Sequence, residues 1–382
     1  MNAETIFTII FYLIIAVLIY INRKKITIIE KIFIAFKTRK PIKIMKKLAK
    51  YSFFWKTFST ISIPFALIGM IVVLVFLTQS AISLIRVPSS TAGVGIAIPG
   101  VKIPGSPIYI PFWYGIISIL ILSTVHEFSH AVTGIVEKVK VKSSGFGMLA
   151  IIPAAFVEFD TKSMMKASKL SRLRIASAGP VANIALSFFL IFLLSWTFYP
   201  LIESIVQYNG IEIVSTIKGY PAEASGISKG MVINKINGTQ LNTSHDFMEY
   251  LRKLKPNDYI VLTTKDGKNY GLKLTSSPKN ESLAYIGITH KQFFEYKEGA
   301  WAPKWLYSIL IWLSGLFGWL INLNFAIGMI NFLPVWFADG GQIFYNFAGY
   351  FFKNEKTLTK VVSSVFFFSL SLLLLNFLLP FF

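Results

Sequence analysis

The residues best suited to chemistry form one short string, His126-Glu127-Phe128-Ser129-His130. On a helix, residues four apart share a face, so both imidazoles can bind one metal ion. Glu127 lies beside them and can take a proton from a water molecule. These ionisable residues lie inside an apolar run, where such groups are costly and indicate function. The string therefore predicts a catalytic metal site, and the alternative is a pair of helix histidines that hydrogen-bond to neighbours.

A hydrolytic zinc site takes three protein ligands and leaves one position open. The chain has no cysteine, and its two other histidines, His245 and His290, fall in a separate polar stretch. The third ligand is therefore expected to be a carboxylate. Asp339 is favoured, because it follows a long apolar run and because Gly340 and Gly341 allow close backbone packing. The carboxylates near an apolar run at matching depth are Glu137, Glu158, Asp160 and Asp339.

The elements that must position these residues are membrane spans. Hydrophobic residues are 54% of the 382 and charged residues 15%, whereas a soluble domain has roughly 25% charged residues. The net charge of +20 fits basic loops that face anionic lipid. No recognisable nucleic-acid fold surrounds the basic residues, so no nucleic-acid partner is expected. Six apolar runs are long enough to cross a bilayer: about 5–21, 58–78, 112–136, 174–199, 303–330 and 361–380.

The distribution of lysine and arginine predicts one topology. The basic segments 23–56, 137–173 and 353–360 are expected on the cytoplasmic side, and 79–111 and 200–302 on the outer side. The order of charges around the first run is the reverse of a signal peptide, which places the N-terminus outside. Segment 23–56 mixes lysine with isoleucine and phenylalanine, as an interfacial helix does, and Pro41 is expected to break that helix.

Two segments differ from the spans. Residues 144–160 are apolar, but they are too short and too rich in glycine and proline to cross, which predicts a re-entrant hairpin or loop packed on protein. Such a strand could hold unwound substrate by strand addition, and the alternative is a structural plug. Residues 205–295 are polar and predict a small α+β domain. Its expected strands are 211–214, 230–238, 259–264 and 269–274, the last two joined at Asp266-Gly267, and its expected helices are 221–227 and 245–254.

The motifs resemble those of a known family. HEFSH and the string Asn331-Phe-Leu-Pro334-Val-Trp-Phe-Ala-Asp339-Gly340 look like the HExxH and N-x2-P-x4-D-G signatures of the site-2 protease family. Ala178-Gly-Pro-Val-Ala-Asn183 resembles its third core motif. The family commonly has a second proline and a leucine just before its aspartate, where this chain has Trp336 and Ala338. Residues 205–295 resemble a PDZ domain of the kind attached to proteases, although no Gly-Leu-Gly-Phe-like carboxylate loop is evident.

The resemblance implies specific roles. His126, His130 and Asp339 would bind one zinc ion per chain, and Glu127 would act as general base and then as acid. Asn183 would be a catalytic residue whose amide stabilises the oxyanion or holds the substrate backbone, although an interhelical hydrogen bond is the alternative reading. Asn331 has the same two readings. The substrates would be transmembrane proteins in the lipid bilayer, cut by regulated intramembrane proteolysis.

The expected fold is a multi-span α-helical membrane protein with a three-span catalytic core and an inserted extracytoplasmic α+β PDZ-like domain. The expected parts are 1–111 with two spans, 112–200 as the first part of the core, 205–295 as the PDZ-like domain, and 303–382 as the second part of the core with the last span. The protein is expected in a prokaryotic plasma membrane, with its active site nearer the cytoplasmic face.

Two other classes of function compete with a protease. A non-proteolytic scaffold would use the PDZ-like domain and a structural metal, but a structural site needs no base such as Glu127. An ion transporter would use intramembrane carboxylates, but the chain lacks broken-helix repeats in corresponding halves.

Overall fold

The computed structural model describes residues 3–21, 26–29, 33–86, 95, 98–101, 103, 108–149, 152–278 and 280–379. The chain divides into two compact units. The first unit comprises residues 1–194 and 312–382, and the second comprises residues 195–311.

Twelve α-helices lie within the described residues: α1 (Ala3–Ile21), α2 (Lys40–Leu48), α3 (Ser52–Arg86), α4 (Phe112–Val136), α5 (Thr161–Lys166), α6 (Lys169–Leu193), α7 (Tyr199–Ile205), α8 (Pro221–Ala224), α9 (Ser244–Arg252), α10 (Lys304–Ile330), α11 (Asp339–Ala348) and α12 (Glu355–Leu378). The strands of the described part are β1 (Ile26–Ile29), β2 (Phe33–Thr38), β3 (Val141–Leu149), β4 (Ile152–Phe159), β5 (Val206–Thr216), β6 (Val232–Ile236), β7 (Thr239–Gln240), β8 (Tyr259–Thr264), β9 (Asn269–Lys273), β10 (Thr275–Ser277), β11 (Asn280–Tyr285) and β12 (Ile288–Tyr296).

Five helices of the described chain are long and apolar enough to cross a membrane: α3, α4, α6 with its continuation to Ile205, α10 and α12. They correspond to five of the six predicted runs. The continuation of α6 includes one π-helical turn, Leu194–Phe198. Helix α1 is apolar but shorter, so the sixth span and the three-span core stay predictions.

The first unit contains a four-stranded antiparallel sheet in the order β1-β2-β3-β4. Strands β3 and β4 are the hairpin predicted for residues 144–160, with Phe146 opposite Ala155 and Ser144 opposite Val157. Strand β4 is an edge of this sheet, so one side of its backbone has no partner strand among the described residues.

The prediction of an interfacial helix in residues 23–56 was wrong for the first half of that segment. Residues 26–29 and 33–38 are strands β1 and β2, and only 40–48 forms the amphipathic helix α2. The run Ile26-Thr-Ile-Ile29 is β-branched throughout and favours a strand. Pro41 lies in the first turn of α2, where a missing N–H leaves no helix bond unmade. It therefore begins a helix rather than breaking one.

Helices α3, α6, α11 and α12 pack around one apolar core of the first unit. In a membrane this packing depends on close fit, because lipid tails are as apolar as the side chains. Gly69 shows the closeness: a Cβ at this position would lie 2.3 Å from the Phe332 ring. The core fixes the segment between α10 and α11, and its buried members include Met70, Val73, Leu77, Leu173, Phe332, Leu333, Val335, Ile343 and Leu372.

The second unit contains the predicted α+β domain. Its sheet has the order β12-β5-β6-β8-β9, and α8 and α9 complete the fold. The β8–β9 hairpin turns at Asp266-Gly267 as expected, with Gly267 at φ +83°. The sequence prediction missed β7, which pairs with β6, and also β10, β11 and β12. The buried core includes Ile211, Ile213, Ile233, Ile236, Phe247, Ile260 and Leu262.

Candidate active site

His126, His130 and Asp339 meet in the first unit. The Nε2 atoms of the two histidines lie 3.0 Å apart. Asp339 Oδ2 lies 3.0 Å from His126 Nε2 and 3.3 Å from His130 Nε2. The two histidines come from successive turns of α4, and Asp339 begins α11. Two elements about 200 residues apart in sequence thus bring three potential metal ligands together.

The bonding of these atoms fits a zinc ion. His130 Nδ1 lies 2.7 Å from the carbonyl oxygen of Ile175, so Nδ1 carries the proton and Nε2 keeps its lone pair in the neutral ring. Asp339 Oδ2 is buried without a hydrogen-bond donor among the described residues, although both histidines are within ion-pair distance. Ligands about 2.0–2.1 Å from a tetrahedral zinc lie about 3.3 Å from each other, close to the distances found.

The other candidate carboxylates have different partners. Glu137 binds Arg174 Nη1 at 3.0 Å. Glu158 binds Lys37 and Lys142 at 2.8 and 2.6 Å, and Asp160 accepts the Ser163 N–H as the N-cap of α5. Of the four carboxylates that the sequence offered, Asp339 is therefore the one placed beside the histidines.

Glu127 lies between α4 and the edge strand β4. Its Oε2 accepts the N–H of Val157 at 2.9 Å. One turn earlier on α4, Ser123 Oγ accepts the N–H of Ala155 at 3.0 Å. The candidate base is thus held by a backbone amide beside the histidines.

Asn183 of α6 is fully buried and contacts the same cluster. Its Nδ2 lies 3.3 Å from His126 Nδ1, and its Oδ1 has no hydrogen-bond partner in the described part of the chain. A 180° rotation of the amide would set Oδ1 against a proton on Nδ1, which is the His126 tautomer whose Nε2 is free for a metal. Asn331, in contrast, directly follows α10 and donates its Nδ2–H to the carbonyl oxygen of Ile327 in that helix at 2.9 Å.

A tight turn sets the start of α11. The Gly340 N–H donates to Asn331 O at 2.7 Å, which brings the end of α10 against the first turn of α11. A Cβ at position 340 would lie 2.2 Å from Leu333 O. The glycine after Asp339 is therefore required by this approach, as the sequence suggested.

A cavity of about 520 Å³ adjoins the three ligand atoms. Three polar residues on its wall were missed by sequence reasoning: Arg172, Gln342 and Asn346. Gln342 and Asn346 follow Asp339 by three and seven positions, so helical spacing could have placed them on its face. The wall also includes His126, Glu127, His130, Val157, Phe159, Met164, Asn331, Trp336, Phe337 and Asp339.

The model of peptidase family M50 matches residues 114–375, which include every residue of this cluster. The chain belongs to peptidase family M50. Members of the family are zinc metalloproteases of the site-2 protease type, and the five membrane-length helices in the described part of this chain agree with a membrane protein.

Relatives of this M50 chain include proteins from an archaeon and a plant. An uncharacterised protein of Methanocaldococcus jannaschii is 30% identical over 82% of this chain and 76% of its own length. The membrane-bound transcription factor site-2 protease homolog of Arabidopsis thaliana is 28% identical over 36% of this chain and 26% of its own length.

The sheet domain of the second unit has PDZ neighbours among solved structures. The PDZ domain of an SdrC-like protein from Listeria innocua is 27% identical, with 22% of this chain and 97% of that domain covered and a TM-score of 0.20. The corresponding domain from Listeria monocytogenes is 30% identical, with 22% and 88% covered and a TM-score of 0.19.

Proposed function

We propose that this protein is an intramembrane zinc metalloprotease that hydrolyses peptide bonds in or near the transmembrane segments of membrane proteins. The observation that carries the proposal is the meeting of His126, His130 and Asp339, with Glu127 on the adjoining turn. Three ligand side chains leave a fourth position of a tetrahedral zinc open, as catalytic zinc sites do. The reaction is regulated intramembrane proteolysis.

The residues of the chain then have distinct roles. His126, His130 and Asp339 hold the zinc, which supplies Lewis-acid polarisation of the scissile carbonyl and of a water molecule. Glu127 takes the proton of the attacking water and returns it to the leaving amine. The Ile175 carbonyl holds the His130 ring in the tautomer that exposes Nε2.

Asn183 supports the reaction in one of two ways. Its amide could stabilise the oxyanion of the scissile carbonyl. Its 3.3 Å contact with His126 Nδ1 favours the other role, which is to orient the His126 ring and select its tautomer. In either role a polar amide is needed at this buried position.

The substrate has to be unwound before cleavage, because carbonyls inside a helix are bonded and shielded. The edge strand β4 supports strand addition as the means of holding it. Val157 and Phe159 of β4 are on the cavity wall beside Glu127, so an extended segment paired there lies next to the base.

The PDZ-like domain is assigned to substrate selection on the extracytoplasmic side. It could exclude substrates with bulky outer domains, or it could capture a newly exposed C-terminus. A groove of about 490 Å³ between α9 and the loop from β11 to β12 supports capture. Phe247, Leu251, Ile286 and Ile288 supply its apolar surface, and Gly287 turns the loop with φ +79°. The absence of a Gly-Leu-Gly-Phe-like string supports exclusion.

A cleavage assay tests the function. Purified protein is incubated with a panel of single-span substrates, and the Glu127→Gln variant is the matched control because its amide keeps the shape but cannot take a proton. We expect cleavage by the wild type and loss of cleavage in the variant with its zinc retained. Turnover of the variant within tenfold of wild type would contradict the role of Glu127 as general base. Normal zinc content in His126→Ala or Asp339→Ala would remove that residue from the ligand set.

The same assay separates the second candidate function. A non-proteolytic scaffold with a structural metal would bind single-span proteins through the PDZ-like groove without cutting them. The position of Glu127 next to the ligands argues against it, because a structural site has no use for a base.

A further inference from the structure

Two side chains of helix α4 accept hydrogen bonds from two backbone amides of strand β4, and the spacing along the helix nearly equals the spacing along the strand. Ser123 and Glu127 lie four apart on α4, which is about 6.0 Å of helix rise. Ala155 and Val157 lie two apart on β4, which is about 6.6 Å of strand rise. These near-equal repeats let the two side chains of one helix face accept two successive outward N–H groups of one strand, at 3.0 and 2.9 Å.

These two hydrogen bonds occupy the edge of β4 that faces away from β3. Residues 155 and 157 direct their amides to α4 rather than to β3, as the alternation of an antiparallel ladder requires. The next position of the same parity is Pro153, which has no N–H, and the helix residue four before Ser123 is the apolar Ile119. At this end of β4, α4 thus lacks an acceptor where the strand lacks an outward donor.

This arrangement gives the Val157 amide two competing uses. A substrate strand that adds to β4 at the cavity needs outward backbone groups of the strand, and Val157 is on the cavity wall. Its N–H is already donated to Glu127, which is also the base that the reaction needs. One hydrogen cannot serve the substrate carbonyl and the carboxylate at full strength together.

We propose that the Val157 amide is a latch for Glu127 and that a substrate strand opens it. An extended substrate takes the Val157 N–H, and the carboxylate is thereby freed to act on the water. Ser123 keeps the Ala155 amide occupied, which confines pairing to the part of the edge beside the cavity. This inference rests on the proposed proteolytic function and on strand addition to β4.

A binding experiment with two inactive variants tests the latch. Glu127→Gln keeps an oxygen that can accept the Val157 N–H, whereas Glu127→Ala leaves that N–H free. The probe is a fluorescent single-span peptide of about 25 residues with an Asn-Pro-Gly break, titrated against each zinc-loaded variant in detergent micelles. We expect Glu127→Ala to bind it about fivefold more tightly, since one neutral hydrogen bond no longer has to be exchanged.

Proline substitutions supply the matched controls. Val157→Pro, added to Glu127→Ala, removes the N–H and should abolish the fivefold advantage. Ala155→Pro in the same background removes the neighbouring edge amide and should preserve it. Both prolines replace outward donors of an edge strand, where proline is tolerated, and zinc content confirms that each variant is folded.

The outcomes are separable from those of the cleavage assay. Equal affinities of Glu127→Ala and Glu127→Gln, or an advantage that survives Val157→Pro but not Ala155→Pro, would overturn the latch. The wild type is assayed for cleavage of the same peptide in parallel. Cleavage with equal affinities refutes the latch alone, whereas absence of cleavage across the whole substrate panel counts against the proposed function.

Discussion

Gly179 is the residue of α6 that faces the His130 ring with no side chain between them. A Cβ at this position would lie 2.3 Å from His130 Nε2 and 2.7 Å from Cε1. Ordinary contact begins at 3.4 Å, so Gly179→Ala falls short by about 1 Å. Helix α6 also packs closely on α10, since the carbonyl oxygen of Pro180 lies 3.0 Å from where a Cβ of Gly328 would be. We therefore expect the substitution to displace the His130 ring.

The magnitude follows from what zinc tolerates. Ligand distances in a functional site hold to about 0.2 Å, and a ring displaced by about 1 Å misses that range. Overpacking of this kind costs about 1–3 kcal/mol. If that cost falls on the zinc-bound state, Gly179→Ala weakens zinc affinity roughly 10–100-fold. Peptide cleavage at limiting zinc should fall in parallel.

The assay is zinc competition with a chromophoric chelator. Gly318→Ala is the matched control, because it is also a helical glycine of a span and a Cβ there meets nothing within 4 Å. We expect the control to keep wild-type zinc affinity and to gain slightly in stability from alanine's helix propensity. Zinc affinity of Gly179→Ala within about twofold of wild type, in folded protein, would refute the reasoning, since a tenfold change is only about 1.4 kcal/mol.

Three further predictions follow from the structure and the sequence. Lys142 and Lys37 lower the pKa of Glu158 to about 2, so the stability that Glu158 contributes is complete above about pH 5 and is lost as the pH falls towards about 2. The difference in Tm between wild type and Glu158→Gln should therefore shrink as the pH falls through this window. A constant difference would contradict the ion pairs of Glu158 with Lys37 and Lys142. Single cysteines in this cysteine-free chain should be labelled from outside at Gln240→Cys and from inside at Lys353→Cys, and the reverse labelling would overturn the proposed topology. A deletion that joins residue 203 to residue 298 removes the PDZ-like domain. It should speed cleavage of substrates that keep a bulky outer domain if the PDZ-like domain excludes them, or abolish cleavage of substrates already trimmed to a new C-terminus if it captures them. Unchanged rates in folded, zinc-loaded enzyme would contradict a role of the domain in substrate selection.

Local spacing let the sequence predict the chemistry of the candidate site. Four-residue periodicity put His126 and His130 on one helix face, and their apolar surroundings marked them as functional. Elimination of cysteine and of the two histidines in residues 205–295 left a carboxylate as the expected third ligand. Apolar length predicted the five helices of the described chain that are long and apolar enough to span, because a bilayer sets that length whatever the tertiary packing.

The N-terminal basic segment shows where local pattern was insufficient. The same mixture of isoleucine, phenylalanine and lysine suits an interfacial helix and a sheet strand. Strand β2 forms because β3 offers it a partner, with Ile34 opposite Met148 and Phe36 opposite Phe146. Such pairing joins residues more than a hundred positions apart, and no window of the sequence contains both.

The amino-acid sequence by itself determined which residues can hold a metal, which can act as a base and which runs are long enough to span. Only the tertiary structure decided that Asp339, rather than Glu137, Glu158 or Asp160, lies beside the histidines. It also decided that the Val157 amide holds Glu127 and that Asn183 contacts His126. The physical reason is that helical and strand periods are local properties of the chain, whereas a ligand set and its hydrogen bonds depend on which distant elements pack closely enough to touch.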